Sequence, residues 1–193
     1  MPYEIIQPPF TLKFREMTKP ELQEYYRWYL AMIKTRIGML TEEVKQSTSF
    51  QAWRPDETPS SFDKLGEWFS TQIEVRQRTP DERHEIEISS RHSISIPKEE
   101  LTNRTFSLAI DIGMYFSQVL IKNHPQVRWE QVFGNKKSID YGQPVLVGFG
   151  AMPFNPVQML VSQAYGLATR KKTGKCLREL YEIWSEMIQV DNA

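Results

Sequence analysis

The sequence predicts an α+β fold, a small antiparallel sheet packed against about five helices, on three observations. Several long segments carry apolar residues at three- and four-residue steps, the spacing of a helix face. Shorter segments read as strands. The only two adjacent strands are joined by a short polar loop, residues 134–142, where a parallel sheet would need a crossover helix.

Residues 1–10 read as an extended, proline-bounded arm, and Thr11 to Arg15 alternate as a short edge strand would. Thr18-Lys19-Pro20-Glu21 is a capping box with proline in the first turn, and Leu22, Tyr26, Tyr29, Ile33, Ile37, Leu40 and Val44 follow at helical spacing. Gln46 to Pro59 has no period and reads as a loop. Ser60, with Asp63 three residues on, caps a second helix striped by Phe62, Leu65, Phe69 and Ile73 and expected to end near Arg78 to Asp81. From His84 to Ile96 the period changes to two, with Ile86, Ile88, Ile94 and Ile96 alternating with polar residues, which predicts a strand ended by Pro97 and either bent or turned into a hairpin at Ser89 to Arg91, alternatives between which the pattern does not decide.

A third helix is expected from Lys98 or Thr102 to Asn123, apolar around most of its circumference and therefore central. Gly113 inside it costs about 1 kcal/mol against alanine, which points to another element passing close to the backbone there. Val127 to Phe133 and Pro144 to Phe149 read as a hairpin extending the preceding strand into one sheet. Asn155 and Pro156 open a helix to about Ala168. A last helix from about Lys175 is expected to dock through Leu177, Leu180, Tyr181, Trp184 and Met187, with Arg178, Glu179, Glu182, Ser185 and Glu186 in water.

Composition bounds the function. The 193 residues suit a single globular domain, residues 1–193, and the 24 basic and 24 acidic side chains cancel. Zero net charge gives no global field for nucleic acid or an anionic membrane, and it permits self-association. The single cysteine, Cys176, suits a reducing, cytoplasmic setting. No window approaches 18 apolar residues, and no basic stretch leads into an apolar one at the N-terminus, so neither membrane insertion nor secretion is expected.

Candidate chemistry is sparse. His84, His92 and His124 lack the paired spacings of a metal site, and one cysteine removes Cys-rich zinc sites. His92 falls on the apolar parity of its strand and reads as a hydrogen-bonded core or rim histidine, while His124-Pro125 reads as a helix stop. Asp111 interrupts an apolar helix, where a desolvated carboxylate could act as a general base. Its spacing with Arg104, Ser107, Gln118 and Lys122 instead assigns it to a wet stripe. Gly148-Phe149-Gly150 before Asn155-Pro156 has the outline of an anion site, but Pro153 stands where a dinucleotide fingerprint needs glycine, and a plain turn fits better. Thr173-Gly174-Lys175-Cys176 fails as a phosphate loop because Thr169 replaces its first glycine. Arg170, Lys171, Lys172, Lys175 and Arg178 form a basic cluster without interleaved aromatics, read as a solvated loop at a helix C-terminus. No nucleophile elbow is present. No catalytic residue, metal ligand or cofactor is therefore expected.

Asp111-Ile112-Gly113-Met114-Tyr115, Val127-Arg128-Trp129, Pro144-Val145-Leu146-Val147-Gly148-Phe149 and Asn155-Pro156-Val157 form a helix, a Trp-bearing strand, a strand ending in Gly-Phe and a helix. In these elements, Leu108 to Gly166 resembles a bacterial domain of unknown function, some members of which are associated with toxin-immunity loci. The resemblance implies a noncatalytic protein-interaction or immunity-type module of bacterial origin. The alternative is a small-molecule-binding protein or an unrecognised enzyme with a pocket near residues 148–155. In either case Tyr115, Trp129, Tyr141, Gly148, Gly150 and Asn155 are the candidate ligand or partner surface.

Overall fold

The computed structural model describes residues 3–89 and 97–190. Six α-helices and two separate two-stranded antiparallel sheets make an α+β fold. The elements in order are α1 (Lys19–Gln46), α2 (Ser61–Thr71), β1 (Val75–Gln77), α3 (Pro80–Ser89), β2 (Glu99–Leu101), α4 (Asn103–Asn123), β3 (Arg128–Gln131), β4 (Pro144–Val147), α5 (Pro156–Ala168) and α6 (Cys176–Val190). A single 3-10 turn, Thr48–Phe50, follows α1.

The capping box at α1 forms in both directions. The Thr18 hydroxyl accepts from the Glu21 amide, and the Thr18 amide donates to the Glu21 carboxylate at 2.6 Å. The buried stripe of α1 runs through Leu22, Tyr25, Tyr29, Ile33, Arg36, Leu40 and Val44, rotated by a residue from the expected one. Tyr26 and Ile37 stand at its edge, half-buried, and a charged residue stands on it.

α4 is the central helix, packed along α5 and α1 and touching α6, while α2 packs on α6. An aromatic seam runs through the middle: Phe62 stacks on Phe116 with centroids 4.7 Å apart, Phe116 on Phe154 at 5.4 Å, and Phe154 meets the Trp184 ring edge-on at 4.8 Å. Gly113 is the expected contact point, since a Cβ there would lie 3.0 Å from the carbonyl oxygen of Pro156 at the start of α5. Asn155 caps α5 through its side chain, accepting from the Gln158 amide at 3.1 Å.

Four expectations are corrected. Thr11 to Arg15 is a turn and not a strand, held by amide-to-carbonyl bonds from Lys13 to Thr11 and from Glu16 to Lys13. Ser60 has helical backbone and makes no side-chain cap, and α2 stops at Thr71. It stops because Glu74 is drawn to the start of α4, its carbonyl accepting from Thr102 and its amide donating to the Thr105 hydroxyl at 2.9 Å. The expected strand from His84 to Ile96 begins instead as α3, and its remainder, with His92, lies outside the described residues. Thr79-Pro80-Asp81-Glu82 is a second capping box, with the Thr79 amide donating to Glu82 at 2.8 Å and the Glu82 amide to Thr79 at 3.2 Å. On a helix Ile86 and Ile88 point roughly 200° apart, and Ile88 is left 71% exposed. Finally, the hairpin β3–β4, in register with Trp129 opposite Leu146, does not extend a larger sheet; β1 and β2 form their own pair, with Arg76 opposite Glu100.

A contact with no counterpart in the sequence reading joins α2 to the loop before α6. A Cβ on Gly66 would fall 2.1 Å from the carbonyl oxygen of Gly174, and one on Gly174 would fall 2.8 Å from the Cα of Glu67. Backbone meets backbone here, so nothing flexible can give way. Gly66→Ala, despite its better helix propensity, is expected to cost about 1 to 3 kcal/mol in urea unfolding. A neutral or stabilising result would mean that α2 and α6 do not approach this closely.

Candidate functional site

Two places concentrate functional groups. The first is interior. Arg36 on α1 forks onto Asp111 on α4, with Nε to Oδ1 at 2.7 Å and Nη2 to Oδ2 at 2.8 Å, and both side chains are almost fully buried. The remaining guanidinium donors reach the N-terminal arm: Nη1 donates to the Glu4 carbonyl at 2.9 Å and Nη2 to the Tyr3 hydroxyl at 2.9 Å. The Tyr3 hydroxyl in turn donates to Asp111. Ser107, one turn before Asp111, accepts from the Ile6 amide at 2.9 Å and lies 2.8 Å from the Tyr3 hydroxyl. The arm is thereby tied across α1 and α4, and Ile6 closes over Tyr25, Tyr29, Ile33 and Met114.

This corrects the reading of Asp111 as solvated. Ser107 and Asp111 do share a face, but the arm covers it, leaving Asp111 with no exposure. Burial pushes the Asp111 carboxyl up to about 6, against the opposing pull of Arg36 and Tyr3, which favour the anion. Burial, aided by the charge of Asp111, likewise pushes the Tyr3 phenol well up. The cluster is internally satisfied, each strong donor meeting an acceptor, and it functions as a clamp.

The raised carboxyl has a pH signature with a definite sign. A folded-state value above the ordinary 3.8 means that the folded chain binds the proton more tightly than the unfolded one. The resulting stabilisation is fully present below the unfolded value and is lost as pH rises through about 6. Acidification from neutrality should therefore favour the wild type over Asp111→Asn by on the order of 1 kcal/mol per pH unit inside that window. Urea unfolding of both proteins across it checks this. Parallel stability profiles would show that the carboxyl is not desolvated.

The second place is on the surface. The turn Leu12–Glu16 and the β3–β4 loop enclose a groove of about 450 Å³, lined by Leu12, Phe14, Arg15, Ile139 and Tyr141 among others. Phe14 forms part of its lining and packs edge-on against Tyr25 with centroids 5.2 Å apart. The loop is pinned from behind: the Ile139 carbonyl accepts from Gln143 at 2.6 Å and Gln158 at 3.1 Å, and Asn155 donates to both Asp140 and Gln143 at 3.0 Å. The Ile139 side chain is left 66% exposed.

The six candidate surface residues do not converge. Tyr141 lines the groove, and Asn155, buried, braces its loop from behind. Tyr115 lies in the core, its hydroxyl 2.7 Å from that of Ser61 and its ring against Trp53 and Phe62. Trp129 packs edge-on against Tyr29 at 5.7 Å. Gly148 and Gly150 have φ of +114° and +71° and form the turn through which β4 doubles back, closed by paired bonds between Leu146 and Phe154 at 2.8 Å. Gly148 backs onto the Gln126 carbonyl, where a Cβ would approach to 2.7 Å. His124 ends α4 as expected, with Nε2 3.2 Å from the Tyr181 hydroxyl and 3.1 Å from that of Ser185. Among the basic cluster, Arg170, Lys171, Lys172 and Lys175 are exposed and Arg178 pairs with Glu182.

Sequence reasoning missed Arg36, Tyr3 and Ser107, although one signal was available. Arg36 stands between Ile33 and Leu40 on the buried stripe of α1, and Asp111 stands between Leu108 and Ile112 on α4. Opposite charges on the core faces of two long helices are the mark of a buried pair.

Fold and site together define a helix-rich α+β protein with an internal clamp on its arm and an amphipathic groove beside it. No family model, curated protein or solved structure matches the chain. Among the described residues no helix is long and apolar enough to cross a membrane, and no group of three or more His, Cys, Asp or Glu side chains could hold a metal.

Proposed function

We propose that this protein is a noncatalytic protein-interaction module, cytoplasmic and of the immunity type, whose partner surface is the groove between the arm turn and the β3–β4 loop. The observation that carries the reading is the grouping of Ile139, Leu12 and Tyr141 around one concavity, with Ile139 66% and Leu12 38% exposed. Single exposed apolar residues are ordinary, whereas several around a braced concavity mark a contact surface. The buried carboxylate at Asp111 supports the same reading, because its oxygens are committed to Arg36 and Tyr3 and are covered by the arm. The single, buried Cys176 suits a reducing compartment. The resemblance of Leu108 to Gly166 to the domain of unknown function supplies the immunity-type assignment.

Affinity capture with the wild type and with Ile139→Asp tests it. Ile139 is exposed enough that the variant should melt like the wild type, and a partner bound through the groove should be lost with it. Identical captures by the two proteins would overturn the proposal. So would a metabolite that stabilises both proteins equally, by about 2.7 kcal/mol at 100 times its dissociation constant, with no protein partner recovered.

A further inference from the structure

Resting on the interaction reading above, we infer that the groove takes an acidic, amphipathic segment of a partner protein. The chain as a whole is neutral, but the rim of this groove is not. Of the acids around it, Glu16 pairs with Lys13, the Glu21 carboxylate is held by the Thr18 amide and hydroxyl, and Asp140 accepts from Asn155. Of the bases around it, Lys13 is paired with Glu16. Arg15 donates only to the carbonyl of Lys137, at 2.9 Å, and Lys19 lies over the ring of Phe133, 5.2 Å from its centre, the same ring that packs edge-on against Tyr141. Among the described residues, Arg15, Lys19, Lys136 and Lys137 make no ion pair, and all four are exposed. The groove and its rim thus carry Lys13, Arg15, Lys19, Lys136 and Lys137 against Glu16, Glu21 and Asp140, and an amphipathic concavity with this excess of basic side chains complements a segment with large apolar side chains on one face and carboxylates flanking them.

A preformed floor favours a peptide over a flat anionic surface. The loop that carries Ile139 is fixed by side-chain bonds from Gln143, Gln158 and Asn155, and the arm turn is fixed where Phe14 meets Tyr25. The concavity is thus present before any partner arrives, and alternate side chains of an extended or helical segment can enter it.

The probe is a displayed random-peptide library selected on the full chain. Selection should enrich peptides that combine Asp or Glu with Leu, Phe or Trp, and a synthetic copy of an enriched peptide should bind at least about tenfold more weakly to Ile139→Asp. Charge reversal in Arg15→Glu should weaken it by a similar factor, and added salt should erode binding to the wild type. Enriched peptides without acidic bias that still depend on Ile139 would overturn this inference while leaving the interaction reading intact. Acidic peptides that bind Ile139→Asp as well as wild type, or no enrichment at all, would sink both. Vesicles of phosphatidylcholine and phosphatidylserine that sediment the protein in an Ile139-dependent way would overturn the inference in favour of a lipid surface.

Discussion

Arg36→Met is expected to destabilise the protein by about 3 to 5 kcal/mol, because it strands the Asp111 carboxylate in a site without water. That is a large share of the roughly 5 to 15 kcal/mol that holds an ordinary domain together. The loss has two parts. Asp111 forfeits both bonds of the guanidinium fork, and the Glu4 carbonyl and Tyr3 hydroxyl forfeit theirs. The pair itself is not expected to be worth that much: Arg36→Met combined with Asp111→Leu removes both charges and should recover most of the deficit, as replacements of buried pairs by apolar groups of similar size commonly do. Chemical denaturation of the two single variants and the double variant closes the cycle. A cost below about 1 kcal/mol for Arg36→Met would show that water reaches Asp111 and that the arm does not seal the site.

Trp184→Ala should cost about 3 to 5 kcal/mol and blunt the cooperative melt. Trp184 is 6% exposed and meets Phe149 and Phe154 edge-on, with centroids 4.9 and 4.8 Å away, so its removal opens a cavity where α6 meets the β4–α5 turn. The inward set expected from periodicity, Leu177, Leu180, Tyr181 and Trp184, is buried, with Met187 half-buried beside Ile188. Because this stripe is covered from within the chain, the substitution should lower stability without changing the state of assembly. Sedimentation decides the matter: a wild-type dimer that becomes a well-folded monomer on substitution would identify the stripe as a seam between copies.

Where local chemistry and burial agree, the fold was legible. The capping box of α1, the proline at the start of α5, the β3–β4 hairpin and the amphipathic α6 were readable because one residue pattern served both the backbone and the core. The region from Ile73 to Ile96 misled for the opposite reason. β1 and β2 are three residues each, too short for a period to show, and in α3 two isoleucines at alternate positions imitate a strand although the Thr79–Glu82 box sets a helix. Asp111 misled through tertiary structure: it shares a face with the polar Arg104, Ser107 and Gln118, and only the arm, more than a hundred positions away, makes that face dry at Asp111. The groove was half-legible, since Tyr141 and Asn155 could be singled out but the meeting of the β3–β4 loop with Leu12 and Phe14 is a long-range event.

The clamp also dictates an order of events during folding. Its groups are separated by 75 positions between Arg36 and Asp111 and by 101 between Ile6 and Ser107, so the arm has no binding site until α1 and α4 have already come together. Arm docking is consequently a late step, with Tyr3 and Ile6 contributing to the rate of unfolding far more than to the rate of folding. It is also a reversible one, able to open while the two helices beneath stay packed, so the backbone amide of Ile6 should exchange its proton with solvent sooner than those in the middle of α4.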